Sequence, residues 1–283
     1  MGFMDRLLGR APGGDPLDER PRLPTHVAYV HWGFERPLAA VEWDITILKD
    51  PGSSCGQYVS LLNGSIDGAA FYLGLQTDMS YPPTGQGAGK GLIFSTWWTF
   101  DEADIDVAPG GFQEMGTHEG RFVGARQRYP WTVGDYRVSL ARRPALSPGP
   151  ADPDHDWFDL SITPLQASGA PRPVPSGRAC WAGGLRFRRR HPDRPATIDP
   201  SGLMFAELYS RVDSWRTVPA WHFDVMAYGD GEPCPKGRTE YPAYPFDQRM
   251  PNVSAWYDAE RRRVRVQMGG VDEQARPDAW RQA

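Results

Sequence analysis

Residues 38–48, LAAVEWDITIL, place Val41, Trp43, Ile45 and Ile47 at every second position, with Glu42, Asp44 and Thr46 between them. Wound as a helix, this run would scatter charged and apolar side chains over every face; extended, it separates them cleanly. It predicts a strand with one face against a core and the other in water. The rest of the chain is punctuated to match, because 31 Gly and 28 Pro are spread along 283 residues with short apolar or alternating runs between them. Further strand candidates fall at 26–32, 57–62, 71–76, 92–100, 121–128, 136–141, 157–165, 180–189, 203–212, 220–228, 253–258 and 262–268. Asn63 and Gly64 read as a hairpin turn, as do residues 258–261. Residues 92–100 are apolar and aromatic, which suits a strand buried on both faces.

About a dozen short strands with almost no helical period predict an all-β chain: a large antiparallel β-sandwich of the concanavalin or jelly-roll kind with few helices. No fixed-period repeat points to a propeller or solenoid. Residues 1–24, a short helical stretch at 4–8 followed by repeated Pro and Gly, read as a flexible tail. Residues 25–283 read as one sandwich domain, or two tightly packed halves with a hinge near 144–156.

The net charge of −4 gives no general attraction for nucleic acid or for an anionic membrane. No apolar run approaches the roughly 18 residues of a membrane span, and the N-terminus lacks the apolar core of a signal peptide, so a cytoplasmic location is expected, with other export routes left open. Cys55, Cys180 and Cys234 are far apart and odd in number, without zinc-ligand spacing or a disulfide framework.

Several patterns could carry chemistry. Glu42 and Asp44 share one strand face, roughly 7 Å apart, within reach of the carboxylate separations used to hydrolyse glycosides; the plainer reading is an acidic solvated face. Glu114 and Glu119 form a second such pair in a glycine-rich loop. Asp101, Glu102, Asp104 and Asp106 could offer oxygens to calcium, as could Asp152, Asp154 and Asp156, but both lack the order of a calcium loop and read first as acidic turns. No other cofactor is expected. Residues 84–91, TGQGAGKG, miss the phosphate-loop spacing and read as a flexible turn. The six histidines are scattered, and no nucleophile elbow is present. Eleven Trp and eleven Tyr are the richest material, since flat rings with polar edges suit sugars and planar metabolites as well as they suit cores. Trp97 and Trp98, as neighbours on a strand, would face opposite sides, one into the core and one onto a receptive surface.

The segments GLQTDM, KGLIFSTW, GGFQEMGTHEG and YPWTVGDYRVSLARR, in that order, resemble the bacterial domain-of-unknown-function family DUF3472. The resemblance covers residues 72–142 most closely and continues more weakly through 157–228. It implies a sandwich akin to lectin-like and laminin-G-like domains, without an assigned activity. On these segments the expected ligand-binding residues are Gln76, Asp78, Trp97, Trp98, Glu114, Glu119 and Trp131. The leading expectation is a non-enzymatic module that binds carbohydrate or a related polar metabolite. A glycan hydrolase or lyase built on paired carboxylates such as Glu42 and Asp44, and a protein-interaction module with a flat exposed sheet, are the alternatives.

Overall fold

A computed structural model describes residues 16–21, 23–81, 86–116, 120–144, 154–170, 172–234, 236–240, 252–258 and 260–270. The strands in chain order are β1 (Thr25–Gly33), β2 (Ala40–Lys49), β3 (Gln57–Ile66), β4 (Ala69–Gln76), β5 (Ser80–Tyr81), β6 (Gln86–Gly87), β7 (Gly91–Thr96), β8 (Ile105–Val107), β9 (Phe112–Gly116) and β10 (Phe122–Arg128). They continue with β11 (Gly134–Arg142), β12 (His155–Gln166), β13 (Val174–Pro175), β14 (Cys180–Arg188), β15 (Ser201–Leu208), β16 (Trp221–Gly229), β17 (Glu232–Pro233), β18 (Lys236–Glu240), β19 (Val253–Asp258) and β20 (Arg263–Met268). One sheet has eight strands in the order β18-β1-β15-β3-β4-β7-β10-β9. The other runs β19-β20-β16-β2-β11-β12-β14-β8, with β13 and β17 added beside β12 and β16 to make ten strands. The pairings are antiparallel. The chain is a β-sandwich, as its alternation predicts.

The alternation of β2 is realised as read: Val41, Trp43, Ile45 and Ile47 are buried in the core, and the residues between them lie on the outer side of the ten-stranded sheet. They face Phe71, Leu73 and Leu75 of β4 and Leu92 and Phe94 of β7, in a core continuous across both sheets. Aromatic rings fill it at edge-to-face and tilted angles, as where Phe187 meets Phe71 at 6.1 Å and Phe94 at 6.2 Å.

Two features differ from the sequence reading. Asn63 and Gly64 do not turn the chain; β3 runs through them and the hairpin closes at Asp67 and Gly68, with φ of 49° and 86°. Two consecutive residues in the left-handed region are what a two-residue hairpin with right-handed strand twist demands. Asp67 adds a tether, since its carboxylate accepts from the backbone N–H of Arg190 and Thr197 at 2.8 and 3.0 Å. Similarly, the strand expected at 92–100 ends at Thr96. There the Thr96 hydroxyl accepts from Trp98 N at 3.1 Å and the Thr99 hydroxyl from Asp101 N at 3.1 Å, side-chain turns that compete with the ladder. Trp97 and Trp98 are therefore not adjacent residues of one strand. The hairpin expected at 258–261 does join β19 to β20, whose ends pair at Asp258 and Arg263.

The helical stretch expected at 4–8 lies outside the described residues. So does most of the segment expected to act as a hinge, but the strands on either side of it, β11 and β12, pair side by side from Tyr136–Pro164 to Arg142–Phe158. Both sheets contain strands from before and after it.

At the start of β12, Asp156 accepts from Arg189 Nε and Nη2 at 2.9 and 2.8 Å and from the Ala196 N–H at 2.7 Å, fastening the loop between β14 and β15. Burial alone would raise its pKa, but the Arg189 and backbone hydrogen bonds outweigh it and hold the carboxyl below the ordinary carboxylate value. A depressed folded pKa contributes stability above the ordinary value and loses it as pH falls through the folded one. Asp156→Asn is therefore expected to lower stability at pH 7 and to flatten the acid limb of a stability–pH profile below about pH 4. Parallel profiles for the two proteins would refute the assignment.

Candidate functional site

The outer face of the eight-stranded sheet is not wet in the way that a two-layer sandwich leads one to expect. Strand register places Tyr29, Phe205, Ser60, Gly74, Ile93, Arg126 and Phe112 in one row across β1, β15, β3, β4, β7, β10 and β9. The next row carries His31, Leu203, Asn63, Tyr72, Ser95, Gly124 and Glu114. Tyr58, Tyr72, Met79, Ile93 and Phe205 form a second buried cluster, against which Tyr29, Trp97 and Phe112 pack. Five rings run through it in contact: His26 on Phe205 at 4.5 Å, Phe205 to Tyr58 at 5.7 Å, Tyr58 to Tyr72 at 6.3 Å and Tyr72 to Trp97 at 4.8 Å.

Glycines make room for this layer. A Cβ on Gly74 would collide with the Val59 carbonyl and stand 2.9 Å from the Tyr58 ring, and one on Gly91 would run into Met79. On Gly124 it would strike Ser95 Oγ and lie 2.7 Å from Arg126 Nη1. Three outward-facing positions thus let a neighbouring side chain lie down on the sheet.

Arg126 is the charged member of the layer. Only 4% of its side chain is exposed. Its Nε and Nη2 donate to Glu114 Oε2 at 2.8 and 2.7 Å, and Nη1 donates to Ser95 Oγ at 2.7 Å and to the Ala125 carbonyl at 3.4 Å. Burial works against the guanidinium charge, but the adjacent Tyr72 oxygen and the Glu114 carboxylate outweigh it and raise its pKa above the ordinary arginine value. The Glu114 side chain is 22% exposed, and no hydrogen bond to its Oε1 is made within the described residues. Burial raises the Tyr58 hydroxyl well above the ordinary phenol value, and the nearby Ser60 hydroxyl offsets only part of that rise. The Trp97 indole N–H also lacks a partner among the described residues.

The residues singled out from sequence scatter across this frame. Trp97 and Glu114 share the outer face near one end of the sheet. Gln76 is on the same face, facing Tyr58 and Gly91 in the register, but six residues along β4 from Ala70, which bonds to Trp97, so it lies about 20 Å away. Asp78 follows it, with its carbonyl accepting from Tyr209 Oη at 2.7 Å. Trp98 is 49% exposed just beyond the end of β7. Trp131 is a correction: it is only 1% exposed, stacked at 5.0 Å on Trp221 inside the main core, with Lys90 Nζ 4.3 Å from its ring, and cannot meet a ligand. Glu119 lies outside the described residues.

Glu42 and Asp44 lie on the opposite outer face and are occupied. Asp44 accepts from Arg137 Nε at 2.7 Å and Arg172 Nε at 2.9 Å, Glu42 accepts from Arg172 Nη1 at 3.0 Å, and the Arg172 guanidinium covers the Tyr228 ring at 3.5 Å. Two carboxylates neutralised by two arginines are not poised as acid and nucleophile, which corrects the hydrolytic pairing. The acidic loop is likewise distributed: Asp104 accepts from Arg186 at 2.6 Å, Asp106 pairs with Arg143 at 2.8 Å, and Asp101 caps Ala103 N at 2.9 Å. Among the described residues no group of three or more His, Cys, Asp or Glu is placed to hold a metal. Asp152 lies outside the described residues. Burial pushes the Cys55 thiol up to about 11, away from nucleophilic use.

Sequence reasoning missed Arg126, Ser95, Tyr72, Tyr58 and Phe205. Their signal was present as alternation: Gly91, Ile93 and Ser95 on one strand, Tyr72, Gly74 and Gln76 on another, and Gly124 and Arg126 on a third are outward residues unlike those of a wet face. The fold and site define an antiparallel β-sandwich with a second, aromatic layer on the outer face of its eight-stranded sheet. Comparison with family models and with curated proteins finds no match to this chain. No helix among the described residues is long and apolar enough to cross a membrane.

Glu114→Ala would leave the Arg126 guanidinium buried without its counter-charge, at an expected cost of about 3 kcal/mol. Glu114→Gln keeps an acceptor oxygen in place and is expected to cost about half as much. Urea unfolding midpoints at constant slope measure both, and equal costs would contradict the charge pairing.

Proposed function

We propose that this chain is a non-enzymatic binding module that takes a carbohydrate or a related polar metabolite on the outer face of its eight-stranded sheet, at the end carrying Trp97 and Glu114. The observation that carries the reading is the juxtaposition there of a part-exposed indole, held by Tyr72, with a part-exposed carboxylate held by Arg126 through one of its oxygens. Flat apolar faces beside fixed hydrogen-bonding groups are what sugar recognition requires. The resemblance to DUF3472 implies a lectin-like architecture and assigns no activity of its own. A binding role is favoured over hydrolysis because Glu42 and Asp44, the pair best spaced for it, are neutralised by arginines on the other sheet. The reading takes the ligand to be small and polar, not nucleic acid, and the protein to act in the cytoplasm.

Titrating a panel of neutral sugars while following tryptophan fluorescence tests this. Trp97→Ala is expected to weaken binding roughly tenfold, the equivalent of about 1.4 kcal/mol of stacking and burial. Trp98→Ala is expected to weaken it less, because Trp98 stands beyond the strand. If neither substitution changes a measurable affinity, the aromatic platform is excluded as the site.

A further inference from the structure

Resting on that reading, we infer that the ligand is an uncharged saccharide longer than a single ring. The charge part of the argument begins with the donors of Arg126. A guanidinium has five N–H bonds, and here Nε and Nη2 are directed at Glu114, Nη1 at Ser95 and the Ala125 carbonyl, while Tyr72 stands at the remaining edge. With its donors engaged and its side chain almost wholly buried, Arg126 has nothing left to clamp an incoming carboxylate or sulfate. What reaches the surface is the other half of the pair: the Glu114 side chain, 22% exposed, whose carboxylate is an acceptor carrying negative charge. Such a group takes hydroxyl protons and repels anions, so uronates and sulfated sugars are disfavoured at this end of the sheet. Arg121, just before β10, is exposed, but its guanidinium lies 4.4 Å over the Phe100 ring, beyond the end of the strand.

The length part follows from the register. Glu114 is opposite Gly124, Gly124 is opposite Ser95, and Trp97 is two residues further along the chain, just past the end of β7. Two strand spacings across and two residues along separate Trp97 from Glu114 by about 12 Å at the backbone. One hexose cannot lie on the indole and also reach that carboxylate. Two linked rings can, with the second passing over the guanidinium of Arg126 where Gly124 lets it lie flat.

The experiment compares neutral hexoses, their dimers and trimers, and the matching uronate dimers and trimers, by calorimetry at low and high salt, on the wild-type protein, Glu114→Gln and Arg121→Ala. Neutral dimers or trimers are expected to bind about tenfold or more tighter than monomers, with an affinity that does not change with salt; uronates are expected to bind at least about tenfold more weakly than their neutral counterparts. Glu114→Gln, checked for folding by its melting curve, should narrow the gap between neutral and uronate ligands, and Arg121→Ala should leave neutral binding unchanged. Tighter uronate binding that falls with salt, or that is lost in Arg121→Ala, overturns the charge assignment while leaving a carbohydrate site in place. Equal affinities for monomer and trimer overturn the length assignment in the same way. Absence of binding to every saccharide overturns the function proposed above, and this inference with it.

Discussion

The central strands of the eight-stranded sheet are buried on both faces although, among the described residues, no helix and no sheet larger than the short β5–β6 pair lies over the outer one, and everything distinctive about the molecule depends on how that is achieved. A two-layer sandwich ordinarily leaves outer faces to water. Here the covering comes mostly from side chains of the sheet itself, lying across it instead of standing up from it, joined by Met79 and Ala88 beside the β5–β6 pair. That requires hollows, and Gly74, Gly91 and Gly124 supply them beneath Tyr58, Met79 and Arg126. Glycine weakens a strand by its loss of chain entropy and its lack of a side chain to pack. The ring-to-ring contacts from His26 to Trp97 offset that by withdrawing apolar area from water at roughly 25 cal/mol per Å².

The other sheet solves its outer face differently. Carboxylates on β2, β12 and β16 (Glu42, Asp44, Asp159 and Asp224) are met by Arg137 and by Arg143, Arg172 and Arg265 from neighbouring elements. Several of these arginines also cover rings, as Arg172 does Tyr228 and Arg143 does Trp157 at 5.0 Å. Partly exposed pairs of this kind contribute little singly and gain from being linked in a network. Their consequence for function is that this face has its charges cancelled internally. The two outer faces are therefore unequal: one is laced with arginine–carboxylate pairs, the other is an aromatic surface with the Arg126–Glu114 pair at one end.

How much of this could be read from sequence depended on whether a feature was local. The strand of residues 40–49 declared both its extent and its buried face, because alternation is a property of one segment. The two-sided burial of residues 91–96 was also legible. Its cause was not, since Tyr72, Ser95, Gly124 and Glu114 become a row only when β4, β7, β10 and β9 adopt their register, and nothing within any one strand states it. Trp131 misled for a related reason: an indole in a turn-like segment looks available, and only the stacking partner from β16, ninety residues later in the chain, shows it to be core. Glu42 and Asp44 misled because the arginine that occupies both of them, Arg172, arrives from a loop far along the sequence. The Asn63 and Gly64 pair was a sound local signal overridden by a stronger one, Asp67 and Gly68, a few residues on.

The pair Arg126–Glu114 is best understood through what an apolar substitute would do. A buried ion pair is weak evidence for stability, because the cost of desolvating two charges consumes much of their attraction, and well-packed apolar side chains of similar volume are often at least as stabilising. An apolar pair between Tyr72, Ile93 and Phe112 would complete the ring layer and leave no orphaned charge. It would not, however, hold a part-exposed carboxylate rigid at the rim by one of its oxygens. The guanidinium does that: gripping Oε2 from two nitrogens and anchored in turn by Ser95, it removes the rotamer freedom that a surface glutamate would lose on meeting a ligand. The arrangement is costly as a core and economical as a preorganised acceptor, and that asymmetry is the physical reason to read this end of the sheet as a place of binding.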